Sequence, residues 1–394
     1  MTSMNDTQAI ADWLIDGARA APTSEGVLAE FCDRLLGGGL PIWRVGLFII
    51  ILHPQIMGQR FLWTCGQPVD SEDGSFEAFQ TEAFRRSPIR YVIDNRVPLR
   101  RKLADDECPL DFPYLRQLKE QGATDYFVVP LFFADGVVHA ANFATREPGG
   151  FTGQQIADLS RLAAPLTRVV EARALQRKAS VLLNTYIGTH AGARVLAGQI
   201  RRGDTTSINA AIWLSDMRGF TQLADILPPQ TLVDELNRYF DCQVPAILKH
   251  GGEILKYIGD GLLAIFAVNA DGANYQKVCE AALAAAREAQ LAVKAATAAA
   301  ADGFTLRFGL ALHIGEVSYG NIGSEHRLDF TCIGPAVNLA ARIEKLTGEL
   351  GLTILASEEF AKHVPSEFLP AGKFSLRGFR TPQAVFSLRD ETSP

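Results

Sequence analysis

The chain has 394 residues, of which 47% are apolar and 21% charged, with a net charge of −6 at pH 7. That length suits two domains and a connector, and the acidic balance excludes a general nucleic-acid binder, which needs a basic face. No apolar run approaches the roughly 20 residues of a membrane span, so no membrane partner is expected. Cys32, Cys65, Cys108, Cys242, Cys279 and Cys332 are scattered without a CxxC pair. They fit free thiols in a reducing compartment, not a disulfide framework or a zinc site. Asp6, Asp12 and Asp16 stand where a signal peptide would have a basic region and an apolar core, so a cytoplasmic location is expected.

Residues 7–36 carry apolar side chains at helical spacing, interrupted at Pro22-Thr23-Ser24, which predicts two helices ended by Gly37-Gly38-Gly39. Residues 42–52 and 60–65 read as strands with His53-Pro54 between them. The charged, Pro-interrupted stretch 70–119 predicts short helices and loops. Residues 126–133 and 137–145, joined by Ala134-Asp135-Gly136, predict a hairpin, followed by a helix over 154–175. This order of elements resembles GAF-type sensor modules, with a PAS-like or other α+β sensor as the alternative. Its signal, a small molecule or a redox change, is not written in any motif: His53, Cys65 and Cys108 are single residues without a CxxCH or partner pattern.

Ile156, Leu159, Leu162, Leu166, Val169, Val170 and Leu175 form an apolar stripe that continues toward residues 181–183. Such a stripe either packs on its own domain or forms a parallel coiled coil. Pro165 inside it is expected to kink or divide the helix. Residues 186–196 and 199–204 read as a short helix and a polar turn. The organisation expected is therefore a sensor at 1–155, a connecting and coupling segment at 156–204, and a second domain at 205–394.

In that second domain an apolar run, 208–214, ends in Ser215-Asp216-Met217-Arg218-Gly219-Phe220-Thr221. Asp216 closes a strand, and the residues after it read as a turn entering a helix, whose backbone N–H groups and dipole suit phosphate oxygens. Pro228-Pro229 opens a helix on which Leu232, Leu236, Tyr239, Phe240 and Ile247 share a face. Residues 254–258 and 262–266 are apolar runs separated by Gly259-Asp260-Gly261, a hairpin with Asp260 at its tip and Lys256 just upstream. Alone, Gly-Asp-Gly serves a turn; together with Asp216 it suggests a metal–triphosphate site. Residues 277–301 are Ala-rich and helical. Residues 306–313 read as a strand, 315–321 as a turn and a second short strand. Further on, Asn338 and Arg342 lie four apart on one helix face, and 353–356 and 384–388 complete the sheet. This order is compatible with a ferredoxin-like α+β core.

Three stretches, 215–221, 255–261 and Gly-Pro-Ala-Val-Asn-Leu-Ala-Ala-Arg at 334–342, resemble the class III nucleotidyl cyclase family in order and spacing. The resemblance covers residues 209–388, about half the chain. It implies cyclisation of a nucleoside triphosphate with two divalent cations, Mg2+ or Mn2+, held by Asp216, Asp260 and the Met217 carbonyl. Asn338 then matches the residue that orients the ribose, and Arg342 the one that stabilises charge on the α-phosphate. Gly219, Phe220 and Thr221 match the phosphate-binding turn, and Arg377 stands where the family usually has a phosphate-binding Lys.

Base choice in the family falls to Lys256 and Thr331. Lys256 favours ATP, because guanylate cyclases usually carry Glu there. Thr331 departs from the commoner Asp of adenylate cyclases, and Pro335 from an Asp after the glycine. The resemblance also implies a homodimer whose two sites each combine metal carboxylates of one subunit with Asn and Arg of the other. The leading expectation is a sensor-regulated adenylate cyclase. The alternatives are a guanylate cyclase and a catalytically silent, nucleotide-binding pseudo-cyclase. A diguanylate cyclase would need a Gly-Gly-Asp/Glu-Glu-Phe hairpin, which Ile258-Gly259-Asp260-Gly261-Leu262 is not.

Overall fold

A computed structural model describes residues 4–51, 56–268, 274–299 and 305–391. The chain divides into two compact units, Met1–Leu182 and Leu183–Pro394, each a mixture of α and β structure.

The first unit is built on strands β1 (Arg44–Ile50), β2 (Ile56–Thr64), β3 (Asp70–Ser75), β4 (Leu99–Arg101), β5 (Asp125–Phe132) and β6 (Val138–Thr145). They form one sheet in the order β3-β2-β1-β6-β5-β4, with every neighbouring pair antiparallel. Strand alternation sends Phe127, Val129 and Leu131 to one face, where they meet Leu14, Leu28, Phe31, Leu159 and Leu162. Tyr126 and Val128 go to the other, against Ile89, Val92, Leu115 and Leu118. With both faces covered, all eight residues of β6 are buried.

The paired helices, Met4–Ile15 and Ser24–Gly37, and the hairpin β5–β6 lie where the sequence places them. Thr23 caps the second helix by accepting from the Gly26 N–H. Two expectations change. The stretch 70–119 holds the edge strands β3 and β4 besides its short helices. Their polar sequences carry no alternation to betray them, and pairing with β2 and β5 makes them. Pro165 does not divide its helix, which runs unbroken over Gly153–Ile187. The first half of the apolar stripe is buried in its own domain, and that packing holds the helical path across the one backbone bond proline omits. Leu175, by contrast, is exposed. All six cysteines are free, Cys65 being exposed and Cys108 partly so; His53 lies outside the described residues.

The second unit contains β7 (Thr205–Met217), β8 (Glu253–Ile258), β9 (Gly261–Ala267), β10 (Phe308–Gly323), β11 (Leu328–Ile333), β12 (Ile354–Ser357), β13 (Phe368–Phe374) and β14 (Gln383–Leu388). The sheet order is β13-β14-β12-β10-β7-β9-β8, with β11 folded back on the end of β10. Trp213, Leu262, Ala264 and Leu312 pack on one face against Tyr239, Ile247 and the Ala-rich helix Tyr275–Ala298. On the other face Ile212, Leu263 and Ile265 meet Ala336 and Ala340 of the helix Pro335–Leu350. Two sequence expectations are corrected here. The single helix expected after Pro228 is two, Pro229–Asp241 and Val244–Lys249, because Pro245 fits the first turn of a new helix better than the interior of an old one. The two strands expected over 306–321 are one, since β10 pairs with β7 without interruption from Phe308↔Met217 to Gly320↔Thr205. Among the described residues no helix is long and apolar enough to cross a membrane.

Candidate active site

Asp216 and Asp260 meet at one end of the central strand pair. In the β7–β9 register Asp216 lies opposite Gly261, one residue beyond Asp260. Gly259 makes the tight turn with φ +64°, and a Cβ on Gly261 would sit 3.1 Å from the Ser215 carbonyl and 3.3 Å from an Asp216 carboxyl oxygen. Glycine there lets the hairpin tip close against the end of β7. The two carboxyl groups come within hydrogen-bonding reach. Burial, then the charge of Asp260, then that of Glu344 push Asp216 up to about 7, while Arg218 pulls the other way.

Such a pair suits a divalent cation. Two acceptor-only carboxylates forced together retain a proton near neutral pH, and a cation satisfies both in its place. Among the described residues no group of three or more His, Cys, Asp or Glu is placed to hold a metal ion. A magnesium site of the substrate-assisted kind needs only one or two carboxylates, so the donor set fits. Met217, the third expected ligand through its carbonyl, ends β7 with its side chain buried in the core.

Several residues that the motifs do not mark hold this corner. The buried Ser215 hydroxyl donates to Gln243 Oε1 at 2.6 Å and accepts from the Trp213 indole at 3.2 Å, fixing the residue before Asp216. Arg218 reaches across to Glu344, with Nη2 3.4 Å from Oε1. Glu344 is buried, and burial raises its carboxyl pKa against the pull of Arg218. Its signal was in the sequence: it shares the apolar helix face of Ala336, Ala340 and Thr347, an odd place for an unpaired acid.

Asn338 and Arg342 stand one turn apart on the helix Pro335–Leu350, Asn338 exposed and Arg342 half-buried. Pro335 falls in the helix's first turn, where its missing N–H leaves no bond unmade. Among the described residues no hydrogen bond or ion pair joins Asn338 or Arg342 to Asp216 or Asp260. Lys256 lies beside the strand that carries Thr331. A bulge at Leu255 lets that side chain stay in the core and re-aims Lys256, whose ammonium is bonded to Asp329 on β11. Thr331 is two residues along the same strand, buried, with no partner for its hydroxyl. Gly219, with φ +77°, caps the short helix Phe220–Ile226; Phe220 is half-buried and Thr221 exposed. Arg377 is exposed in a turn between β13 and β14.

Residues 204–389, most of the second unit, match the family model of the adenylate and guanylate cyclase catalytic domain. The chain is similar to adenylate cyclase 1 of Rhizobium meliloti (strain 1021), with 28% identity over 177 residues, 44% of this chain and 26% of that protein. An adenylate cyclase of Anabaena cylindrica is 33% identical over 171 residues, 42% of this chain and 32% of that protein. Among solved structures, the adenylyl cyclase CyaB from P. aeruginosa is 27% identical, with TM-score 0.43, and the match covers 48% of this chain and 100% of that one. The matched segment thus spans only 26% and 32% of the two curated relatives.

Proposed function

We propose that this protein is an adenylate cyclase that converts ATP to 3′,5′-cyclic AMP and pyrophosphate in a homodimer. The observation that carries the reading is the Asp216–Asp260 pair, with Lys256 held against the strand of Thr331. In this reading Asp216, Asp260 and the Met217 carbonyl hold two divalent cations, Mg2+ or Mn2+. The ions supply a lowered 3′-hydroxyl pKa and charge neutralisation on the phosphates. Asn338 orients the ribose, and Arg342 offsets the charge that grows on the α-phosphate. Backbone N–H groups of Gly219, Phe220 and Thr221, with Arg377, take the terminal phosphates. Lys256 donates to adenine N1, and the Thr331 hydroxyl accepts from the exocyclic amine.

The dimer part is supported by what a single chain leaves open. Clefts of about 590 and 340 Å3 in the second unit are lined by none of Asp216, Asp260, Asn338, Arg342 and Lys256. Tyr257 and Ile258 on the hairpin and Ile333 before the Asn338 helix are about half exposed; apolar surface of this kind suits a partner subunit. The GAF-like first unit would regulate the assembly through the helix Gly153–Ile187, whose last residues belong to the second unit.

The test is turnover of ATP and of GTP by the purified full-length protein with Mg2+ and then Mn2+, resolving the products by chromatography. Cyclic AMP from ATP, with little product from GTP, is expected. Cyclic GMP as the main product would establish the guanylate alternative, and nucleotide binding without any product the pseudo-cyclase.

A further inference from the structure

In the first unit, the loop of the β5–β6 hairpin, the end of β1 and the helix Gly153–Ile187 enclose a cavity of about 230 Å3. Ile50, Ile51, Phe133, His139, Leu175 and Lys178 are among its walls. The polar group buried in those walls is His139, 1% exposed. Strand register puts it there. The β1–β6 ladder stops at Phe48↔Ala140, and beyond it the Ile50 N–H donates to His139 Nδ1 at 2.9 Å. The imidazole also lies against the Phe133 ring, with centroids 3.8 Å apart. A nitrogen that accepts is the unprotonated one. Burial lowers the His139 pKa to about 4, so at pH 7 the ring is neutral and carries its single proton on Nε2. Among the described residues Nε2 has no hydrogen-bond partner. A buried donor left unpaired is costly, and a ligand that accepts from it removes that cost.

The charges nearby say what kind of acceptor fits. Lys178 is half-buried at the same cavity and, among the described residues, makes no ion pair. The acids are engaged elsewhere. Asp135 is exposed and accepts from the Val137 N–H at 3.0 Å. Glu171 accepts from the Ala134 N–H and pairs with Arg168. We propose that this cavity binds a small monocarboxylate with an aliphatic tail. The carboxylate accepts from His139 Nε2–H and pairs with Lys178, while the tail lies on Ile50, Ile51, Phe133 and Leu175. The cavity is smaller than the roughly 300–1,000 Å3 of a drug-sized site, so the tail is short. A protonated Nε2 donates to an oxygen and is not available to a metal. Binding also covers Leu175, whose side chain is otherwise 53% exposed.

The experiment is calorimetric titration of the full-length protein with butyrate, hexanoate and octanoate, and with hexanamide as the uncharged counterpart. One saturable site per chain is expected, with affinity rising about fourfold per added methylene until the cavity is full. Hexanamide should bind roughly tenfold more weakly than hexanoate. Lys178→Met is expected to erase that preference. His139→Asn keeps an acceptor for the Ile50 N–H but has no donor at the Nε2 position, and should weaken hexanoate about tenfold. His139→Gln places a donor near Nε2 and should lose less, which a merely structural defect would not reproduce. Lys178 is on a helix surface, so its variant keeps the test open should His139→Asn fail to fold. No saturable binding at any chain length overturns the proposal, whether the cavity takes no carboxylate or a second chain covers it. Hexanamide binding as tightly as hexanoate to the wild type overturns it too, as does undiminished hexanoate binding by Lys178→Met.

Discussion

With its carboxyl pushed up to about 7, Asp216 keeps its proton in the folded protein across a pH range where the unfolded chain has lost it. Between the ordinary aspartate value near 4 and pH 7, the native state therefore binds more protons than the unfolded state. Stability must fall as pH rises through that window, and reaches its low level above pH 7. A divalent cation competes for the same oxygens and reverses the effect. Melting with excess EDTA and with Mn2+ is thus expected to show a larger Mn2+-induced rise in Tm at pH 8 than at pH 6. Asp216→Asn should melt higher than wild type at pH 8 in EDTA, match it near pH 4, and lose most of the Mn2+ effect. Equal Mn2+ shifts at both pH values would mean that the cation does not replace that proton.

Among the elements, the path of the Arg218 side chain is the tightest fit near the site. It passes over Gly309 of β10, which lies opposite Asp216 in the register. A Cβ on Gly309 would fall 2.0 Å from Arg218 Nη2 and 2.1 Å from the Thr347 hydroxyl. The arginine tip can swing away, but only by leaving Glu344, and Thr347 is buried on a packed helix. Gly309→Ala is therefore expected to cost about 1–3 kcal/mol in urea unfolding. It should also tighten Mn2+ binding, because Glu344 loses the positive charge that offsets it beside the aspartates; unchanged unfolding would show that the corner is slack.

Nothing in the sequence around Gly309 announces this crowding. The hairpin and the end of β7 were legible, because apolar runs broken by Gly and Asp state their own turn. So was the spacing of Asn338 and Arg342. What stayed hidden depends on register: Asp329 reaching Lys256, Arg218 reaching Glu344, and the single long β10, each joining residues far apart in the chain. The strands β3 and β4 stayed hidden for the same reason, being polar segments whose partners define them.

For the whole molecule the decisive matter is where the second half of the site comes from. One chain carries the aspartate pair and the Asn338–Arg342 face, without a bond between them among the described residues. If each complete site draws on two subunits, Asp260→Ala and Arg342→Ala damage different halves. Each homodimer is then dead at both of its sites. A heterodimer of the two variants, however, has one site with both lesions and one with neither. Statistical mixing makes half of the dimers mixed, each with one working site of two, so activity should return to roughly a quarter of wild type. The measurement is cyclic nucleotide formation by co-refolded or co-expressed variants, with the heterodimer fraction counted by native mass spectrometry of tagged chains. Recovery that rises in proportion to that fraction supports the shared site. With heterodimers present and no recovery, each chain must build its site alone, and Asn338 and Arg342 would have to reach Asp216 within one subunit.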